Sequence, residues 1–157
     1  MISITREHEI HVAHRLVGYQ GKCKYIHGHS YRIGITLRRN AQHALDDLGM
    51  VVDFFEVKRL LCGWLDDHWD HKLMLWDKDP LVKSGIGMFL SRNGSPDNCP
   101  WEEQDFLAVV PFNTTTENMA VHLRDNIFPQ LLKANDLPVH IHSVTIYETS
   151  KSSALAD

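Results

Sequence analysis

Three histidines near the start of the sequence have the types and spacing of metal ligands. His27 and His29 flank Gly28, and side chains two residues apart in an extended segment point to the same side. His14 can join them if its strand pairs alongside, because neighbouring strands lie only about 5 Å apart. Parity along that strand puts His11 on the opposite face from His14, so His11 is not expected to be a ligand.

Three imidazoles suit a zinc ion whose fourth position stays open for water or substrate, as in a catalytic site. A structural zinc would usually take four ligands, mostly cysteines, whereas the chain has 3 cysteines and no CxxC pair. For His-Gly-His alone, a turn with two solvated imidazoles is the simpler interpretation. Cys23 favours a catalytic site over such a turn, because it lies within about 13 Å of His27 even in a fully extended chain. A thiolate is stabilised beside a dication and can then act as a base or nucleophile.

Composition sets the broad class of the protein. A chain of 157 residues that is 43% hydrophobic and 23% charged is ordinary for one globular domain, here predicted to span 1–157. The net charge of -4 argues against binding nucleic acid by bulk electrostatics. No apolar stretch approaches the length of about 18 residues that a membrane span needs. We therefore expect a cytoplasmic protein without a membrane partner, and the odd number of cysteines fits a reducing compartment.

Hydrophobic periodicity predicts the elements that must position these residues. Alternation over 31–38 is typical of a strand with one apolar face, and capping-box spacings at Asp53 and Thr114 mark the starts of two helices. The segment 15–30 is predicted to be the connection that carries the chemistry, and 76–106 an irregular excursion with a short helix. The predicted strands are 2–14, 31–38, 140–148 and, as a strand or the lead-in to one, 107–110; the predicted helices are 54–67 and 116–133.

Two carboxylates have both a simple and a functional interpretation. Glu148 falls on the apolar face of the last predicted strand, with Val144 and Ile146, where a carboxylate is costly unless it is paired or hydrogen-bonded. It either lies past the sheet edge in water or recognises a planar donor array such as an aminopyrimidinone. Asp70, followed by His71, is by itself most simply a helix-end residue with a solvated carboxylate.

Taken in order, the motifs of this chain resemble the 6-pyruvoyl-tetrahydropterin synthase family, over almost the whole sequence apart from 76–106. Within the family, the three residues between Cys23 and His27 favour the 6-carboxy-tetrahydropterin synthase branch over the pyruvoyl branch. The motifs are His14, Cys23-x-x-x-His27-Gly28-His29, Gly49-Met50-Val51-Val52-Asp53-Phe54, Asp70-His71, Thr115-Thr116-Glu117-Asn118 and Glu148.

The resemblance implies an α+β tunnelling fold (T-fold), with a four-stranded antiparallel sheet, two helices on one face, and assembly into a barrel-like trimer or hexamer. It also implies active sites between subunits. By position, the implied zinc ligands are His14, His27 and His29; the implied catalytic residues are Cys23, Asp70 and His71; the implied substrate-binding residues are Thr115, Thr116, Glu117 and Glu148.

The resemblance further implies a zinc-dependent lyase acting on 7,8-dihydroneopterin triphosphate. Its products would be 6-carboxy-5,6,7,8-tetrahydropterin, acetaldehyde and triphosphate, a step in the synthesis of queuosine precursors. Three alternatives remain: a 6-pyruvoyl-tetrahydropterin synthase, a non-catalytic zinc- or pterin-binding module, and a zinc hydrolase of another fold. The presence of Cys23, Asp70 and His71 disfavours the binding module, and the absence of HExxH disfavours the hydrolase.

Overall fold

The computed structural model describes residues 2–40, 45–84 and 106–157 and folds them into a six-stranded sheet with helices packed on one face. The spatial order of the strands is β4-β3-β1-β2-β5-β6. The strands are β1 (Ile4–His14), β2 (His27–Arg39), β3 (Lys72–Trp76), β4 (Leu107–Val110), β5 (Val139–Thr149) and β6 (Ser152–Ala156).

In the described segments, two long helices, each with a π-helical middle turn, and one short helix accompany the sheet. The carboxylate of Asp53 caps the first long helix, as predicted, by accepting the N–H of Phe55. The second long helix is capped by Thr115, whose hydroxyl accepts the N–H of Asn118, and not by the predicted Thr114, whose hydroxyl donates to the carbonyl of Arg15. The helices are α1 (Phe54–Val57, Lys58–Cys62 and Gly63–His68), α2 (Pro80–Lys83) and α3 (Thr116–His122, Leu123–Ile127 and Phe128–Ala134).

The core lies between the sheet and the two long helices. Along β1 the buried residues alternate with exposed ones, so Ile10, Val12 and His14 face the helices while His11 faces away. The other buried side chains of this layer come from β2, β5, α1 and α3, and include Tyr31, Ile33, Ile35, Leu37, Leu61, Leu65, Met119, Leu123, Phe128, Val144 and Ile146.

The prediction of a four-stranded antiparallel sheet is wrong in both strand number and orientation. β1, β2, β5 and β6 are antiparallel, but β3 runs parallel to β1 and β4 runs parallel to β3. β3 was missed because Leu73-Met74-Leu75 is a continuous apolar run, which is typical of a buried parallel strand and shows no alternation. β6 is short and lies at the edge of the sheet, where apolar patterning is weak.

The predicted excursion over 76–106 is only partly described. The short helix expected there corresponds to α2, whose cap is the fully buried Asp79, which accepts the N–H of Leu81 and the Nε–H of Arg15. The remainder, 85–105, lies outside the described residues. Within the described segments no helix is long and apolar enough to cross a membrane. A cytoplasmic location, a single domain and the absence of nucleic-acid binding stay predictions.

Candidate metal centre and active site

The three predicted metal ligands come together at one end of the β1–β2 ladder. Register places His14 directly opposite His27 and Val12 opposite His29, so the three imidazoles share the helix-facing side of the sheet. Their ring centroids are 4.6 to 5.3 Å apart. We call His14, His27 and His29 the histidine cluster. One nitrogen from each ring and one carboxylate oxygen of Glu148 all lie within 4.8 Å of one another.

Backbone carbonyls orient two of the three rings. The Nδ1–H of His14 donates to the carbonyl of Thr114, and the Nδ1–H of His27 donates to the carbonyl of Tyr25, both at 2.8 Å. Hydrogen bonds of this kind fix the tautomer and leave Nε2 as the ligand atom. The Nε2 atoms of His27 and His29 are buried and make no hydrogen bond within the part of the chain that the structure describes. Buried nitrogens oriented in this way fit a bound metal ion.

Burial favours the neutral form of two rings of the cluster, those of His14 and His29. Desolvation lowers the pKa of His14 to about 4, because the carbonyl of Thr114 and the charge of Glu148 only partly offset it and the other two histidines add to it. Desolvation also lowers the pKa of His29, against the opposing charge of Glu148. Since a metal binds the neutral imidazole, these two rings are in the ligand form at neutral pH.

The carboxylate of Glu148 lies between the side chains of Thr116 and His29. Oε2 accepts the hydroxyl of Thr116 at 3.0 Å, and Oε1 lies 3.0 Å from Nε2 of His29 without the alignment of a hydrogen bond. Glu148 is thus beside the histidine cluster, not beyond the sheet edge in water. Of the other predicted substrate-binding residues, Thr115 caps α3 and Glu117 is exposed in the first turn of that helix.

Tyr31 is a member of this site that sequence reasoning missed. It is fully buried, and its hydroxyl donates to Nε2 of His14 at 3.1 Å. Burial raises the pKa of Tyr31, and the negative charges of Glu148 and Cys23 raise it further, so the phenol stays protonated. The signal was present in the sequence, because Tyr31 has the same parity as His27 and His29 on β2.

Cys23 lies close to the histidine cluster but outside the group of ligand atoms. It is in a short 3₁₀ turn, Lys22–Lys24, and its carbonyl accepts the N–H of Leu16 at 2.8 Å. The thiol is free and partly exposed. The connection between β1 and β2 therefore returns the cysteine to the end of the ladder that holds the histidines.

The structure puts Asp70 and His71 on the other face of the sheet. Oδ2 of Asp70 accepts the Nδ1–H of His71, and Oδ1 accepts the backbone N–H of His11, both at 2.7 Å. The ring of His71 meets the ring of His11, which points away from His14 on β1. Within one chain the Asp70–His71 pair is therefore separated by the sheet from Cys23 and the histidine cluster.

A cavity of about 520 Å³ lies beside the Asp70–His71 pair. The side chain of His71 lies on its wall and is 75% exposed, so the ring is accessible to solvent. The cavity is lined by His11, Val12, Ala13, Gly28, His29, Ser30, His71, Lys72, Leu73 and Phe106.

Sequence comparison supports the resemblance seen in the motifs. The profile of the family described as 6-pyruvoyl tetrahydropterin synthase matches residues 3–157. Relatives named 6-carboxy-5,6,7,8-tetrahydropterin synthase from Rickettsia bellii and Rickettsia felis are 36% and 33% identical over 149 residues, with 95% of this chain and 95% of each relative covered. A relative of the same name from Haemophilus influenzae is 28% identical over 152 residues, with 97% of this chain and 96% of the relative covered.

Solved structures share the fold. A crystal structure of a protein from Wolinella succinogenes superposes with a TM-score of 0.76 at 21% identity, covering 99% of this chain and 97% of that chain. The structure of Caenorhabditis elegans 6-pyruvoyl tetrahydropterin synthase gives a TM-score of 0.60 at 23% identity, covering 99% of this chain and 94% of that chain. These similarities establish the α+β architecture of the family in this chain.

The sequence and structural comparisons agree with the order of the motifs along the chain. The prediction of an enzyme, a lyase similar to 6-carboxy-5,6,7,8-tetrahydropterin synthase, is confirmed by relatives that cover nearly its whole length. Because the family profile extends from residue 3 to residue 157, this chain belongs to the 6-pyruvoyl tetrahydropterin synthase family.

Proposed function

We propose that this protein is a zinc-dependent lyase that converts 7,8-dihydroneopterin triphosphate and water to 6-carboxy-5,6,7,8-tetrahydropterin, acetaldehyde and triphosphate. The relatives that match the chain over 95% of its length carry the name of this activity. The structural observation that carries the proposal is the histidine cluster, whose buried Nε2 atoms converge beside a carboxylate. This reaction would be a step in the synthesis of queuosine precursors.

His14, His27 and His29 would hold the zinc ion through Nε2, with Nδ1 of His14 and His27 kept on backbone carbonyls. The donor set fits zinc, since three neutral imidazoles with an open position are typical of catalytic zinc sites. When bound, zinc supplies a Lewis acid for the oxygens of the substrate side chain.

Glu148 has the chemistry to recognise the pterin ring. A carboxylate can accept two N–H groups from a planar aminopyrimidinone edge, and Thr116 fixes its rotation through Oε2. Its position beside His29 brings the bound ring close to the histidine cluster. Thr115 and Glu117, at the start of α3, would enclose the ring from the same side.

Cys23 and the Asp70–His71 pair would move the protons. The Cys23 thiolate removes a proton from the substrate side chain, and His71 returns or relays protons through Nε2. Asp70 supports this role because its carboxylate holds Nδ1–H of His71 and so fixes the tautomer.

We further propose that two copies of the chain complete one site. Cys23 and the histidine cluster would come from one subunit, and the Asp70–His71 pair from another. The separation of the two groups by the sheet supports this arrangement. β4 and β6 are the edges of the described sheet, and pairing them between copies would close a ring of the trimer or hexamer type.

Product analysis tests the reaction. We would incubate the zinc-loaded protein anaerobically with 7,8-dihydroneopterin triphosphate and identify the products by mass spectrometry, with chelator-treated protein as the control. A carboxypterin together with acetaldehyde, formed only with metal, is the expected result. A pyruvoylpterin would instead identify a 6-pyruvoyl-tetrahydropterin synthase. A pterin that binds but stays unchanged would favour a non-catalytic binding module.

A further inference from the structure

His11 has no role in the proposed reaction, yet its backbone holds both members of the Asp70–His71 pair. Its N–H donates to Oδ1 of Asp70, and its carbonyl accepts the backbone N–H of His71, both at 2.7 Å. His71 adopts a left-handed backbone conformation, with φ of 56°, at the corner between α1 and β3. These two hydrogen bonds tie that corner to β1, and they do not depend on the side chain at position 11.

The His11 side chain makes a separate set of contacts. Its Nδ1 is 2.9 Å from the hydroxyl oxygen of Ser30, which lies directly opposite on β2. Its Nε2 is 3.8 Å from a carboxylate oxygen of Glu9 on the same strand. Held in this way, the His11 ring meets the ring of His71 edge to face, with centroids 5.4 Å apart and an interplanar angle of 74°.

We propose that the His11 side chain is a positioning residue for His71, an inference that rests on the function proposed above. The imidazole of His71 is 75% exposed, so burial does not fix its rotamer. The Asp70 carboxylate holds it at Nδ1, and the His11 ring supports it from the side. Together, these two contacts keep Nε2 of His71 directed for proton exchange with a substrate. Because the ring is already oriented, less entropy is lost when the reactive geometry is reached.

Three substitutions of His11 separate the ring contact from the hydrogen bond to Ser30. His11→Ala removes both, His11→Phe keeps the ring, and His11→Gln keeps a polar group for Ser30. An edge-to-face contact of this kind predicts that kcat falls about two- to tenfold in His11→Ala, with KM changed less than about twofold. His11→Phe should keep most of the wild-type kcat, whereas His11→Gln should behave like His11→Ala.

The matched control is His140→Ala, which removes an exposed histidine of β5 that contacts Asn40 and not His71. This variant should keep the wild-type kcat and KM. If His11→Ala also keeps the wild-type kcat, or if kcat in His11→Phe falls as far as in His11→Ala, the ring contact does not position His71 and the proposal is overturned.

A second measurement does not depend on the reaction. Long-range ¹H–¹⁵N spectra of histidine-labelled protein report the tautomer and the mobility of each imidazole. The His71 signals should show one tautomer, protonated at Nδ1, in the wild type and in His11→Phe, and averaged signals in His11→Ala. Unchanged His71 signals in His11→Ala would overturn the inference. Averaged signals in a protein that fails to turn over the pterin would support it and reject only the proposed function.

Discussion

Each residue of the histidine cluster has two ring nitrogens, and the hydrogen bond made by Nδ1 decides whether Nε2 is available to a metal. Carbonyls of Thr114 and Tyr25 take up Nδ1 of His14 and His27, which leaves Nε2 of both rings for a metal. The hydroxyl of Tyr31 donates to Nε2 of His14, so a metal bound at that nitrogen would displace this hydrogen bond. The hydrogen bonds at Nδ1 thus orient the rings of His14 and His27 before a metal binds.

His27→Ala should lose the metal while the protein stays folded, because His27 is only partly buried at the end of the ladder. Removing one of three protein ligands is expected to weaken zinc binding by more than about 100-fold, since changes to supporting residues alone cost 10- to 100-fold. Zinc content per chain after gel filtration, measured by mass spectrometry, checks this. His140→Ala should retain wild-type zinc, and full zinc in His27→Ala would exclude the ligand assignment.

Cys23→Ala should separate chemistry from binding. The thiol lies outside the group of ligand atoms, so zinc and pterin should bind as in the wild type. Turnover should fall by about 100-fold or more, the usual contribution of a positioned base. Stopped-flow turnover and calorimetric pterin binding measure the two effects on one preparation. Wild-type turnover in this variant would remove the thiol from the mechanism.

At the level of elements, Asp70 joins the end of α1 to β1 and to His71. Burial alone would raise the pKa of its carboxyl, but the hydrogen bonds from the His11 N–H and the His71 ring outweigh burial and lower it below the ordinary 3.8. A lowered pKa means that the native state favours the carboxylate. Asp70 therefore contributes stability above the unfolded-state pKa, and that stability is lost as pH falls through the lower folded-state pKa.

Asp70→Asn should consequently make the free energy of unfolding less dependent on pH in the acid range. Wild type should be the more stable protein at neutral pH, and the difference should shrink as pH falls below about 4. Urea unfolding at a series of pH values measures the difference. Asp47→Asn, in an exposed loop, is the control. A gap between wild type and Asp70→Asn that stays constant from neutral to acid pH would contradict this account.

The sequence predicted the elements whose patterns are local. Alternation identified most of β1, β2 and β5, and helical spacing identified α1 and α3, so the parity that brings the three histidines together was already readable. The pairing of strands was harder to predict from the sequence. The parallel register that aligns Val12 with Lys72 depends on contacts between distant segments, and no periodicity encodes it.

That missed pairing decides the layout of the site. Because β3 lies beside β1, the corner that precedes it presents His71 on the face of His11. The motif order had associated Asp70 and His71 with Cys23 without showing on which face they lie. The resemblance therefore supplied candidate members of the site, and their distribution over two faces of the sheet emerged only from the structure.

At the level of the whole molecule, the proposed oligomer would form through the edges of the described sheet. Val109 on β4 is 48% exposed and Leu155 on β6 is 61% exposed, and the backbones of both strands lie at the edge of the described sheet. Unpaired apolar edges favour association with another strand. Pairing between copies would cover both side chains, and it would place the second face of one sheet near the connection of the next.

Mixing two inactive variants tests whether one site uses two chains. Cys23→Ala keeps an intact Asp70–His71 pair, and His71→Ala keeps an intact cysteine and histidine cluster. In randomly mixed oligomers, roughly a quarter of the sites would combine the intact halves, so about a quarter of wild-type turnover should return. Refolding the two variants together, against each refolded alone, provides the comparison.

Native mass spectrometry would establish that mixed oligomers have formed. Mixed oligomers without turnover would mean that both halves act within a single chain, and the separation by the sheet would then have to be overcome by a rearrangement of the Asp70–His71 corner.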